Sequence, residues 1–276
     1  MPASYAHACF GQNVLQVLPD EMRTALQPYQ SFYEYGQYGP DFFFFYKPLF
    51  NNPINEQGKI LHAQSGKQFF AAAKEAYAKV PTEKKEASRA YLTGFLCHFI
   101  LDSVNHAFIV PYTASHDVTH VELEGEYERY LLQRNGKNPK KENLSLYHIV
   151  FPELPSIAAP FTQGKTEQEV RQAMDGMRFY KKLVYSPSGI KRRLLVGLMG
   201  PLGLRRKFQG QFVNVVPYPY TEESNRELDR RTREICLPLA KALLPAFWSY
   251  LEGIDTSFQD HPQLRYSFDG EISEKS

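Results

Sequence analysis

Residues 84–107, KKEASRAYLTGFLCHFILDSVNHA, decide the fold class because they form one long, mostly apolar stretch without proline. A segment of this length and composition predicts a helix that runs through the protein interior. His98, Asp102 and His106 stand four residues apart within it, so on a helix they share one face. Polar groups in such an apolar setting are costly to bury unless each is paired or bound to a metal ion.

Helical patterns also dominate the rest of the chain. Further helices are predicted at Tyr5–Leu18, Ser65–Val80, His120–Arg134, Thr166–Tyr185 and Glu222–Leu251. The one strand signal is Phe212–Val216, and Pro217 follows it directly. The residues after Asp260 are predicted to form a polar tail. We therefore predict an all-α protein, a multi-helix bundle.

The composition bounds the class of protein. The chain has 276 residues, 43% hydrophobic and 14% aromatic, which suffices for a buried core. A net charge of +2 is too small to indicate a nucleic-acid-binding protein, so no nucleic acid is expected. Three widely spaced cysteines favour a reducing compartment over a disulfide framework. Since neither a signal peptide nor a segment able to span a bilayer is recognised, we expect a cytoplasmic protein.

One basic segment is unusual, because residues 176–221 contain nine basic residues and no acidic one. Two cationic triplets, Lys191–Arg193 and Arg205–Lys207, flank eleven residues without a polar side chain. Three glycines and a proline within these eleven predict a hairpin or loop rather than a regular helix. Two interpretations stay open: peripheral contact of Lys191–Lys207 with an anionic membrane surface, or a buried loop with solvated flanks.

Histidines and carboxylates cluster in the first part of the chain. Six of the eight histidines lie between residues 7 and 120, and zinc accepts imidazole and carboxylate where thiolates are absent. His120 and Glu124 repeat the four-residue spacing, so two helices can present ligands to each other, as in multinuclear sites of helical bundles. His7, Asp41 and His62 are candidates to complete the set from earlier elements.

Other residues carry weaker signals. The stretch Phe32–Phe50, with ten Phe or Tyr residues, predicts a buried, aromatic-walled loop. His116 is either an alternative ligand or a surface residue in a loop after the long helix. His148 and His261 are interpreted as structural or exposed.

Five segments, taken in order, resemble the bacterial zinc-dependent phospholipase C family. They are MPASYAHACFGQNVLQVLP (1–19), QYGPDFFFFYKP (37–48), GKILHAQSGKQFF (58–70), AYLTGFLCHFILDSVNHAF (90–108) and HVELE (120–124). The likeness is greater to the intracellular branch than to the secreted enzymes. It covers about residues 1–150, which we expect to form a metal-binding core. Residues 151–276 are expected to form a C-terminal helical extension packed on that core as one globular unit.

The resemblance implies a ligand set, since three zinc ions share an all-helical site in that family. It assigns one ion to Asp41, His62, His98 and Asp102, a second to His106, His120 and Glu124, and a third to His7 with Asp102 as a bridge. Secreted members complete the third site with an N-terminal tryptophan. This chain begins Met1-Pro2 and has its only tryptophan at position 248. The expected cofactor is therefore zinc, as two or three ions.

The resemblance also implies an activity, cleavage of a phospholipid head group by zinc-activated water. Asp41 is the candidate catalytic carboxylate that helps to deprotonate this water. The expected location is the cytoplasm, with peripheral contact at the membrane. Two alternatives stay open: hydrolysis of a soluble phosphoester or nucleotide, as in zinc-dependent nucleases of similar fold, and a non-catalytic scaffold that retains the fold.

Overall fold

The computed structural model describes residues 4–201, 203–204, 208–213, 216–218 and 221–272. These residues form helices joined by short turns and, apart from two isolated bridges, no β-structure. The α-helices are α1 (Ser4–Val17), α2 (Asp20–Leu26), α3 (Gln30–Gly36), α4 (Pro53–Ala63), α5 (Gly66–Ala78), α6 (Thr82–Ser115), α7 (His120–Arg134), α8 (Leu154–Ala158), α9 (Glu167–Val184), α10 (Ile190–Met199), α11 (Thr221–Arg231) and α12 (Leu237–Leu251). The prediction of an all-α fold is confirmed.

Helix α6 is the central element of the fold. It is long and apolar enough to cross a membrane by length and composition, contrary to the sequence-based expectation that no segment is. However, 83% of its most apolar window is buried inside the protein, which is typical of a core helix. Helix α3 crosses α6 where Gly36 meets Gly94. A Cβ on Gly94 would lie 2.1 Å from the Tyr33 carbonyl oxygen, so the two backbones are in direct contact.

Several predicted elements differ in detail from the structure. Helix α7 begins and ends at the predicted residues, because Thr119 caps it and Glu122 completes a capping box. The predicted helix Glu222–Leu251 is interrupted by a π-helical turn at Thr232–Cys236. The predicted loop Phe32–Phe50 instead contains the end of α3 and a 3-10 helix, Asp41–Phe45. No strand is found at Phe212, Val213 or Val216, and the two residues between them lie outside the described residues.

The hydrophobic core draws on both parts of the chain. One buried cluster contains side chains from α1 and α6 together with Phe247, Phe258 and Phe268. The prediction of a tail after Asp260 is wrong, since Leu264 and Phe268 are fully buried. Phe268 packs edge-on against Phe99, with ring centroids 5.0 Å apart. Apolar burial therefore holds this segment against α6.

The basic segment is also more regular than predicted. Ile190–Met199 is helical (α10), so the predicted hairpin or loop is wrong for these residues. The first triplet lies at the beginning of this helix, whereas Arg205–Lys207 lies outside the described residues. Ile190, Leu194 and Leu198 are between 64% and 67% exposed. Their four-residue spacing places them in one apolar stripe on the protein surface.

Candidate metal centre

The first candidate ligand cluster joins three elements around the middle of α6. Asp41 begins the 3-10 helix after α3, His62 lies in the last turn of α4, and His98 and Asp102 lie one turn apart on α6. All four are buried and can each place one ligand atom within 4.8 Å of the others. His62 Nε2 lies 3.1 Å from Asp41 Oδ1, and His98 Nε2 lies 3.2 Å from Asp102 Oδ2.

The hydrogen bonds of the two imidazoles fit a bound cation. His62 Nδ1 donates to the Gly58 carbonyl at 2.8 Å, and His98 Nδ1 donates to the Gln37 carbonyl at 3.1 Å. In a neutral ring the Nε2 atom is then an acceptor. Both Nε2 atoms and Asp102 Oδ2 are buried and make no hydrogen bond with the described residues. Acceptors that face one another in a buried site need a cation between them, and this Nδ1 arrangement is typical of metal-binding histidines.

The second candidate cluster lies one turn farther along α6, where α7 begins. His106 Nε2 and His120 Nε2 each lie 3.1 Å from Glu124 Oε1. His106 Nδ1 is bonded to a backbone carbonyl, that of Phe268, at 2.7 Å. His106 and Glu124 are buried, whereas the His120 side chain is 34% exposed. The His120 ring thus reaches the protein surface, while its Nε2 atom, which faces Glu124, is buried.

His7 connects the two clusters from α1. Its Nε2 atom lies 3.2 Å from Asp102 Oδ1, while the other oxygen of Asp102 faces His98. The His7 ring stacks on His98 with centroids 4.4 Å apart. A cavity of about 20 Å³ lies between His7, Asp102, His106 and Glu124, which is room for about one water molecule or ion. The expectation about N-terminal ligands to a third zinc concerns Met1–Ala3, which lie outside the described residues.

Burial and opposite charges compete for the protonation state of these groups. Burial alone raises the pKa of Asp41, but His98 and His62 contribute to lowering it to about 2. The pKa of Asp102 is likewise held well below its usual range by His98 and His106 against the effect of burial. Burial lowers the pKa of His106, yet Asp102 and Glu124 outweigh burial and raise it to about 9. The carboxylates are thus ionised, and metal binding would displace a proton from His106.

The structure places all eight predicted ligands at this centre, seven in the two clusters and His7 beside Asp102. Their assignment as zinc ligands stays a prediction. His116 is exposed and stacks on Tyr112, in agreement with a surface role. His148 is fully buried beside Tyr38, so the exposed alternative is wrong for this residue. Glu122 forms a capping box with Thr119 at the beginning of α7.

Sequence reasoning missed two further residues near the centre, Phe268 and Glu128. Phe268 contacts both clusters although it lies 162 residues after His106. Glu128 is buried one turn beyond Glu124 and accepts a hydrogen bond from the Tyr5 backbone N–H at 2.7 Å. Burial raises the pKa of Glu128 to about 7, although the nearby Lys181 ammonium lowers it. Glu128 continues the four-residue spacing of His120 and Glu124, which was the available signal.

Comparison with known proteins agrees with this geometry. A family model described as zinc dependent phospholipase C matches residues 6–159, more than half of the chain. No similarity was found to a curated protein or to a solved structure. The match contains all eight candidate ligands and, with the two buried clusters, supports a metal-dependent hydrolase. The chain belongs to the zinc-dependent phospholipase C family.

Proposed function

We propose that the protein hydrolyses a phosphodiester at this centre, with a phospholipid as the substrate. The observation that carries the proposal is the set of three imidazoles whose Nδ1 atoms are fixed by backbone carbonyls and whose Nε2 atoms face carboxylates. Zinc ions held by these residues would lower the pKa of water and neutralise charge on a phosphoryl group. The family membership supports the phosphoester class of substrate.

In this reaction, Asp41 and His62 would have separate roles. Asp41, an ionised carboxylate, would accept a proton from the attacking water through a carboxylate oxygen. The water oxygen forms a bond to phosphorus as the bond from phosphorus to the glycerol oxygen breaks. The proton then passes to that glycerol oxygen, which leaves diacylglycerol and a phosphorylated alcohol. The Gly58 carbonyl fixes the His62 ring with its Nε2 atom 3.1 Å from Asp41 Oδ1, so a cation held between the two would also fix the carboxylate.

A purified-protein assay tests the activity. Zinc is quantified by elemental analysis, and head-group release is measured from phospholipid vesicles before and after chelator treatment. We expect about two or three zinc ions per chain, loss of turnover with chelator, and recovery with added zinc. His62→Asn should lose activity, and His116→Ala, an exposed histidine, is the matched control. Turnover of a soluble phosphodiester alone would favour a soluble phosphoester or nucleotide as the substrate. Bound zinc without turnover of any substrate would favour a non-catalytic scaffold.

The exposed stripe on α10 supports membrane contact as part of this function. Ile190, Leu194 and Leu198 project apolar surface, and the exposed Lys191 and Arg193 stand beside them on the same helix. Apolar side chains beside cations suit the interface of an anionic bilayer. The proposed contact would bring the protein to its substrate at the membrane surface.

Vesicle binding tests this contact. Leu194→Glu should abolish co-sedimentation with vesicles that contain phosphatidylserine, because it places a negative charge in the middle of the stripe. Ile254→Glu is the matched control, since Ile254 is 78% exposed elsewhere on the surface. Equal binding of both variants and the wild type would exclude α10 as the contact.

A further inference from the structure

We propose that residues Tyr266–Ile272, here called the C-terminal strap, position ligands of the metal centre through the backbone of Phe268. The strap lies more than 100 residues beyond the segment matched by the family model. The inference rests on the proposed function only in that the two clusters bind zinc. It adds a positioning role that the ligand residues do not supply.

Phe268 is bonded to one ligand of each cluster. Its carbonyl oxygen accepts a hydrogen bond from His106 Nδ1 at 2.7 Å. Its backbone N–H donates to the carbonyl of His62 at 3.1 Å. The first bond fixes the ring orientation of His106 with Nε2 directed at Glu124, and it keeps the remaining proton on Nδ1 once the ring is neutral. The backbone of one residue, Phe268, thus holds a ligand ring in the second cluster and the backbone of a ligand in the first.

The backbone of the strap is itself held against α5, the helix that follows the His62 helix. The Gly66 N–H at the start of α5 donates to the Tyr266 carbonyl at 2.9 Å. Within the strap, Ser267 N–H donates to the Glu271 carbonyl at 2.8 Å, and Gly270 N–H donates to the Ser267 carbonyl at 3.1 Å. These bonds form a tight turn that presents Phe268 to the two histidines.

Gly270 lets this turn lie directly on α6. Its φ of +75° falls in the left-handed region that favours glycine. A Cβ there would lie 2.5 Å from the Ala107 backbone nitrogen and 3.0 Å from the His106 carbonyl carbon. Any other residue would therefore move the strap away from the ligand helix, next to His106.

The Phe268 side chain anchors the strap from the other side. It is fully buried and packs on Phe69 and Phe99 with ring centroids 5.7 and 5.0 Å apart. The same ring lies 5.7 Å from His62 and 5.9 Å from His98. It therefore covers the first cluster with apolar surface and excludes water from that side.

Zinc affinity separates a positioning role from a merely structural one. Gly270→Ala should weaken zinc binding about 10- to 100-fold, the usual effect of losing a residue that orients a metal ligand. Gly253→Ala is the matched control, because Gly253 has a φ of +73° and no atom within 4 Å of an added Cβ. The control carries the same backbone strain and should bind zinc like the wild type. Competition with a chromophoric chelator measures all three affinities, and circular dichroism checks folding.

A measurement on the unaltered protein covers the case in which Gly270→Ala does not fold. Zinc added to the chelator-treated protein should slow hydrogen exchange of the Phe268 amide and of its neighbours in the strap at least tenfold. Unchanged exchange in the strap, or equal zinc affinities in the wild type and both folded variants, would overturn this inference alone. A wild-type protein without zinc affinity would overturn the proposed function together with it.

Discussion

The crossing of α3 and α6 predicts a large effect from one methyl group, Gly94→Ala. An added Cβ would lie 2.1 Å from the Tyr33 carbonyl oxygen and 3.0 Å from the Gln37 nitrogen. These are backbone atoms, so no side-chain rotation relieves the contact and α3 has to move by about 0.9 Å. That movement carries the Gln37 carbonyl, whose 3.1 Å bond with His98 would stretch beyond hydrogen-bond range.

The magnitude follows from two opposing terms. Overpacking of a core costs about 1–3 kcal/mol, and a rigid backbone contact belongs at the upper end. Alanine regains about 1 kcal/mol over glycine inside a helix. The free energy of unfolding should therefore fall by about 2 kcal/mol, which lowers the Tm by roughly 4–8 °C. Loss of the bond that orients His98 should weaken zinc binding about 10- to 100-fold.

Thermal denaturation and zinc competition measure both effects. Gly197→Ala is the matched control, because Gly197 lies in α10 with no atom within 4 Å of an added Cβ. It should gain up to about 1 kcal/mol from helix propensity and keep its zinc affinity. If Gly94→Ala were as stable as Gly197→Ala and bound zinc as tightly as the wild type, the proposed coupling between helix crossing and site would be refuted.

Three further predictions concern individual side chains. Asp102→Asn should lower zinc content by more than one ion, because Asp102 faces both the first cluster and His7, whereas His120→Asn should lower it by at most one. Elemental analysis decides this, and equal losses would contradict a bridging role. His116→Ala should leave zinc content and turnover unchanged, since that ring is exposed, and any loss of metal would place it among the ligands. The pKa of Glu128 in the folded protein is about 7, above its ordinary value of 4.5. The folded protein therefore retains a proton that the unfolded chain releases, and the free energy of unfolding falls as the pH rises from 4.5 to about 7. Glu128→Gln removes this ionisation. Between pH 5 and pH 8, the free energy of unfolding of the chelator-treated variant should therefore rise by about 2–3 kcal/mol relative to that of the wild type, as measured by urea denaturation. Parallel pH profiles of the two proteins would contradict a raised pKa at Glu128.

The sequence predicted the helical fold and the candidate ligands on α6 and α7 because both depend on local spacing. His7, Asp41 and His62 were assigned to the ligand set through the family resemblance. Residues four apart share a helix face whatever surrounds them, so His98, Asp102 and His106 could be placed on one face of α6 from the sequence. The beginning of α7 was also predictable, since Thr119 and Glu122 form a capping box within four residues of chain.

Other features depended on the path of the chain in three dimensions. The apolar stripe of α10 was obscured by glycines that a solvent-exposed helix tolerates. The bonds of Phe268 to His62 and His106 use backbone groups, which every non-proline residue carries, so the sequence cannot mark them. The sequence by itself therefore determined which residues are the candidate metal ligands. Only the tertiary structure decided which carbonyls orient them, because that depends on contacts between segments up to 162 residues apart.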